Sequence, residues 1–122
     1  MARLGIADDD GAPRVLPVTY AILDDAIVTA IDHKRKLVAA DRLARLRWVR
    51  ARPRVALTVD RYDDDWSQLA WVQAIGPITI HEAVDAPEAI AALTDRYAPY
   101  RNQPPGGPVL SLAPERILWW RA

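Results

Sequence analysis

The sequence predicts a mainly β protein, a small antiparallel barrel with two interposed helices. Three observations lead there. Six or seven short runs rich in Val, Ile, Leu and Thr are separated by turn residues. The first three runs occupy about thirty residues and are joined by hairpin-length turns, which leaves no room for a crossover helix. Between later runs, two segments carry helix signals instead. Closing such a sheet on itself removes its exposed edges.

The elements follow in order. Residues 3–7 form a short first strand, ended by the turn Asp8-Asp9-Asp10-Gly11. Residues 14–23 read as a second strand, with Pro17 arguing for an edge or a bulge. Asp24-Asp25 turns the chain into a third strand, 26–31. A helix spans roughly 38–52, and Pro53 fixes its end. Residues 55–59 are a strongly β-prone fourth strand. Residues 69–82 give a long fifth strand, bent at Gly76-Pro77. Asp85 is suited to cap a second helix that runs to about Tyr97 with Pro87 in its first turn. Residues 102–108 hold three Pro and two Gly and form a loop. Strands at 109–112 and 116–120 complete the sheet. There is no internal repeat and no linker, so residues 1–122 are read as one domain.

Composition narrows the function. With 122 residues, 51% of them hydrophobic, the chain has enough apolar material for a single core. It has no Cys, which excludes disulfides and thiolate metal sites. No run approaches the ~18 apolar residues of a membrane span, and no signal peptide is recognisable, so a cytoplasmic location is expected. Phe is absent, whereas Trp occurs at positions 48, 66, 71, 119 and 120.

Charge is distributed unevenly. The formal net charge is zero, yet nine of the sixteen Lys and Arg residues lie between Lys34 and Arg54, where Asp41 is the only acid. Leu43, Leu46 and Val49 recur every three residues through the same stretch, giving the helix an apolar edge beside its basic one. Arg42 and Arg45 are three apart and share a helix face, so both can converge on one anion. A planar guanidinium donates two parallel hydrogen bonds to a phosphate and stays charged at any relevant pH. A phosphate-bearing cofactor suits this pattern, and a nucleic-acid backbone suits it almost as well. The plainer alternative is a solvated basic face.

Four segments resemble one family. They are Leu16-Pro17-Val18; the helix stretch Arg42-Leu43-Ala44-Arg45-Leu46-Arg47 with Arg52-Pro53-Arg54-Val55; Asp60 through Val72, containing Asp65-Trp66-Ser67; and Tyr100-Arg101-Asn102-Gln103-Pro104-Pro105-Gly106-Gly107-Pro108-Val109. Together they resemble the pyridoxamine 5′-phosphate oxidase-like split β-barrels, FMN-binding-like in fold. Within these they are most similar to the actinobacterial branch that uses the deazaflavin coenzyme F420. The resemblance implies a homodimer with two cofactor sites at the subunit interface. It places a cofactor phosphate on Arg45, with Arg42 one turn earlier, and further anionic groups near Lys34 and Lys36 in the preceding loop. It makes Thr29, Ala30 and Ile31 ring-lining positions on one strand, and Pro17 and Val18 on its neighbour. The family pattern also has a helix before the first strand, where this sequence has only Met1, and often Asn where this sequence has Trp48.

Hydride transfer needs no protein nucleophile, because the cofactor carries the difficult step. Accordingly, no catalytic residue and no metal ligand are assigned. His33 adjoins the basic loop but reads as exposed, as does His81. Asp63, Asp64 and Asp65 lack the alternating spacing of a calcium loop and read as a soluble turn. Trp66 is placed near the ring system or at the dimer interface, and Trp71 in the core or interface. Trp119 and Trp120 face opposite sides of the last strand, so one is exposed unless a partner covers it. The leading expectation is an F420-dependent oxidoreductase passing a hydride to a small conjugated or heteroaromatic acceptor. The alternative is an FMN-binding oxidase or flavin-binding protein. A nucleic-acid-binding role ranks below both, since net charge is zero and no reader motif is present; no membrane partner is expected.

Overall fold

The computed structural model describes residues 1–31 and 39–122, the side chains of residues 39–43 excepted. Among the described residues, eight strands and three α-helices succeed one another as β1 (Ala2–Ala7), β2 (Pro13–Val18), β3 (Ala21–Leu23), β4 (Ala26–Ala30), α1 (Ala39–Ala51), β5 (Arg54–Arg61), β6 (Ala70–His81), α2 (Pro87–Arg96), α3 (Ala98–Asn102), β7 (Val109–Leu112) and β8 (Arg116–Arg121). Every strand pairing is antiparallel. None of the described helices is long and apolar enough to cross a membrane.

The sheet runs β2-β1-β5-β6-β7-β4-β3, with β8 also paired to β6. Its two outermost strands, β2 and β3, are consecutive in the chain and linked only by Thr19 and Tyr20. That short link brings the two ends of the sheet side by side, while the ladder is not closed between them. This is a barrel with a split. The sequence pattern predicts a single strand over 14–23, but the structure breaks it at Thr19-Tyr20, because β2 pairs with β1 whereas β3 pairs with β4.

β6 holds the two halves of the barrel together. Residues Ala70 to Pro77 pair with β5, and Ile78 to His81 pair with β7. The change of partner falls just after Gly76-Pro77, where the sequence predicts a bend. A Cβ on Gly76 would lie 2.1 Å from the Ala113 carbonyl oxygen, so only glycine lets the β7–β8 connection approach this closely. The Ala113 amide donates to the Pro77 carbonyl at 3.0 Å and the Glu115 amide to the Ile75 carbonyl at 2.9 Å, which secures that connection.

Two apolar clusters fill the interior. The larger joins Ala2, Leu4 and Ile6 of β1 to Val55 and Leu57 of β5 and to Leu46, Trp48 and Val49 of α1. Leu46 and Val49, two of the three residues of the apolar edge read from the sequence, are thus buried. The smaller cluster packs Ala89 and Leu93 of α2 and Tyr100 of α3 on Ala21, Val28 and Val109. No helix is expected at α3 from the sequence pattern. Pro99 occupies its first turn, where a missing amide costs nothing, and the helix ends before the Pro-rich run. Asp85 does not cap α2; the N-cap is Ala86, without a side-chain bond, and Asp85 ends a preceding turn of 3₁₀ helix.

Candidate functional site

The split opens into a cavity of about 270 Å³. Leu16, Pro17, Val18 and Thr19 from the end of β2 form one side, and Thr29, Ala30 and Ile31 from the end of β4 form the other. Leu4, Ile6 and Leu110, with Arg45 and Val49 of α1, also line it. The unzipped β2–β3 edge explains why a hollow exists here: no ladder draws the ends of β2 and β4 together among the described residues.

Six residues singled out in the sequence, Pro17, Val18, Thr29, Ala30, Ile31 and Arg45, thus line one cavity although they come from three separate elements. Arg42 lies on α1, one turn before Arg45, and nothing is described of its side chain. Lys34, Lys36 and His33 lie outside the described residues. Trp66 does not line the cavity; it stands 74% exposed on a short 3₁₀ turn in the β5–β6 connection. The sequence does not mark Leu16, Thr19, Val49 and Leu110 as cavity-lining, because a pocket-lining aliphatic has the same signature as a core one. Thr19 carries one usable signal, a polar residue immediately after an apolar strand.

The polar groups of the cavity are few. Thr29 is 4% exposed, and its Oγ1 has no hydrogen-bond partner among the described residues. A buried hydroxyl is normally satisfied, so an unpaired one on a cavity-lining residue leaves a polar group for which a ligand could supply a donor or acceptor. The Arg45 guanidinium, on a helix whose neighbouring residues Leu46 and Val49 are buried, gives the same cavity a positive end.

Several other arginines are engaged with acids or with the backbone. Arg47 binds Asp9 in a two-pronged contact, Nε to Oδ1 at 3.1 Å and Nη2 to Oδ2 at 2.6 Å. Arg52 donates to the Asp8 carbonyl, Arg54 pairs with Glu115 at 2.8 Å, and Arg3 pairs with Asp60. Arg14 lies over the Trp48 ring, 4.9 Å from its centroid. The second half of the basic helix therefore fastens the β1–β2 turn. The hydrogen bond from Arg47 holds the Asp9 carboxyl below its ordinary range, and Asp9 correspondingly raises Arg47. Asp65 is also held low, by bonds from the Ser67 hydroxyl and amide, which identifies it as the cap of the 3₁₀ turn. No group of three or more His, Asp or Glu side chains arranged to hold a metal occurs among the described residues. His81 is exposed, its Nε2 2.9 Å from the Thr79 hydroxyl.

Known proteins agree with this architecture. No curated protein matches the sequence. Among solved structures, the conserved hypothetical protein Rv2991 from Mycobacterium tuberculosis is similar with a TM-score of 0.76 and 19% identity, covering 98% of this chain and 76% of that one. The haem storage protein HutZ from Vibrio cholerae has a TM-score of 0.74 at 16% identity over 96% of this chain and 83% of its own. An F420 reductase has a TM-score of 0.70 at 20% identity over 96% and 87%. At these identities the likeness is one of fold. The sequence model of the pyridoxamine 5′-phosphate oxidase family matches residues 1–117. The chain belongs to the pyridoxamine 5′-phosphate oxidase-like family of split β-barrels.

Proposed function

We propose that the split cavity binds a flavin-type cofactor, specifically the deazaflavin F420, and that the protein is an oxidoreductase serving a small conjugated or heteroaromatic acceptor. The observation that carries this reading is the cavity itself: aliphatic walls suited to a flat ring system, an unpaired Thr29 hydroxyl, and the Arg45 guanidinium at one end. The guanidinium and hydroxyls of the described lining suit a phosphate-bearing ring. When bound, a deazaflavin supplies the hydride. The chain's part is to hold the phosphate at Arg45, seat the ring against Pro17, Val18, Ala30 and Ile31, and keep water from it.

F420 is preferred over FMN because Lys34, Lys36 and Arg42 stand just before Arg45 in sequence and suit a longer anionic tail. The pairing of Arg47, Arg52 and Arg54 with acids or backbone argues against a phosphate track along the helix, and so against nucleic acid. At about 270 Å³ the cavity falls short of the roughly 300–1,000 Å³ of a complete small-molecule site. A second copy of the chain supplies the missing wall in a homodimer, and Trp66 and the exposed face of β8 are the surfaces available for it.

Titration with F420 and with FMN, followed by fluorescence, tests the reading. Saturable binding of F420 is expected, with Arg45→Ala weaker by about ten- to a hundred-fold, the loss of a charge-assisted contact. Equal affinity of wild type and variant would remove Arg45 from the site. Tighter binding of FMN, or protein purified yellow, would favour the flavin alternative.

A further inference from the structure

One segment touches both sides of the split. On the β2 side, the Thr19 hydroxyl lies 2.9 Å from the Tyr100 Oη, and the Tyr20 amide donates to the Tyr97 Oη at 3.1 Å. The Arg96 guanidinium sits 4.1 Å from the centroid of the Tyr20 ring and 5.6 Å from that of Tyr97. The Tyr97 and Tyr100 rings meet edge to face, 5.7 Å apart, so the two contacts form one unit. On the β4 side, the Ile31 amide donates to the Pro108 carbonyl at 3.0 Å. Gly107 packs so tightly there that a Cβ would lie 2.2 Å from the Ile31 carbonyl oxygen. Thr19 and Ile31 are themselves cavity-lining residues, one from each side.

We propose that residues 97–108 are a brace tying the two lips of the split together and setting the gap in which the ligand sits, with Tyr97, Tyr100 and Gly107 as positioning residues. Several features suit the segment to that role. Tyr100 is buried among Leu93 and Val109, which anchors the brace in the smaller core. Pro99, Pro104, Pro105 and Pro108 have φ locked by their rings, and Pro105 is buried, so the segment has few ways to absorb a displacement at either end. Gly107 is required by close approach of two backbones, not by a left-handed conformation. The Gln-Pro-Pro-Gly-Gly-Pro run thereby gains a mechanical reason for its composition. It limits the freedom of a lip whose partner strand supplies no ladder.

The inference deepens the preceding reading, because the gap being set is that cavity; its central test needs no ligand. Amide hydrogen exchange is measured by NMR on the full chain, for wild type and for Tyr97→Phe, Tyr100→Phe and Gly107→Ala. Local opening is what such exchange reports. The brace predicts cross-lip effects. Gly107→Ala raises exchange at the Tyr20 amide as well as at Ile31, and Tyr97→Phe raises it at Ile31 as well as at Tyr20. Amides of the β1–β5 ladder remain at wild-type rates. Effects confined to the mutated lip, or an equal rise at every amide, would overturn the proposal. Should Gly107→Ala not fold, the two Tyr→Phe variants, each lacking one oxygen atom, carry the same cross-lip measurement. A second readout is the affinity of Tyr100→Phe for F420 or FMN, expected to fall about two- to ten-fold, the value of one hydrogen bond. Failure of wild type to bind either compound would refute the cofactor reading and leave the exchange result to decide the brace.

Discussion

Thr29 is the residue whose chemistry is most at odds with its surroundings. Its hydroxyl is buried in an apolar wall and unpaired among the described residues. Thr29→Val keeps the shape and removes the unmet group, so the ligand-free protein should gain up to about 1 kcal/mol in urea unfolding. Ligand affinity should fall several-fold in the same variant. A loss of stability in the ligand-free state would mean that the hydroxyl is already satisfied. Asp9 gives a residue-scale prediction of a different kind. Its folded pKa is depressed, chiefly by the bond from Arg47, and Arg47 stays charged throughout, so Asp9 is the titrating partner. A depressed carboxyl stabilises the fold above the ordinary Asp range of about pH 4, and that contribution is lost as pH falls through the lower folded value. Urea midpoints should therefore decline on acidification below about pH 4, and Asp9→Asn should flatten that decline. Because both side chains lie at the surface, added salt should shrink the difference.

At the scale of elements, the close approach at Gly76 in β6 is the feature least able to tolerate change. Gly76→Ala drives a methyl group into the Ala113 carbonyl, and backbone on both sides leaves nothing flexible to yield. We expect a loss of about 2–4 kcal/mol in chemical unfolding, comparable to other strained or overpacked substitutions. A near-neutral result would show that the β7–β8 connection can move away. The place where β6 changes partner is legible in the sequence because Gly-Pro inside a β-prone run removes a side chain and then an amide donor, which marks a point where a ladder changes. β7 is legible because Val-Leu-Ser-Leu lies between two prolines, Pro108 and Pro114. The interruption at Thr19-Tyr20 is not. Residues 14–23 are compatible with one strand, and the break is decided by which neighbours the two halves pair with, a long-range fact. α3 is hidden for a related reason: five residues flanked by proline gain their helical turn from Tyr100 packing into the smaller core. In the site, Arg45 announces itself by charge. Its cavity neighbours Val49 and Leu110 are chemically indistinguishable from core, and only the unzipped edge separates lining from filling.

At the scale of the whole molecule, large apolar side chains stand exposed along the β6–β8 ladder. Trp119 opposes Val72 and Ile117 opposes Ala74 in the β6–β8 ladder, so these side chains share the face on which Ala74 is buried. Yet Trp119 is 69% exposed and Ile117 61%. Trp120, on the opposite face beside Trp71, is 46% exposed, so the strand is open on both sides. Large apolar side chains gathered on a sheet face mark an association surface, and a two-fold pair of identical chains is the commonest way to cover one. The core-side face is the one we propose for a second copy, because it continues the face on which Ala74 is buried. A pair of standard size would hide roughly 800 Å² on each chain. Sedimentation velocity at tens of micromolar should then show a dimer for wild type and a monomer for Trp119→Glu. Trp120→Glu, on the other face, should leave the dimer intact. If the cavity needs its partner, Trp119→Glu should also lose cofactor affinity even though it leaves Arg45 and Thr29 untouched. A wild-type chain that sediments as a monomer and still binds F420 with full affinity would defeat this assignment and confine the site to one barrel.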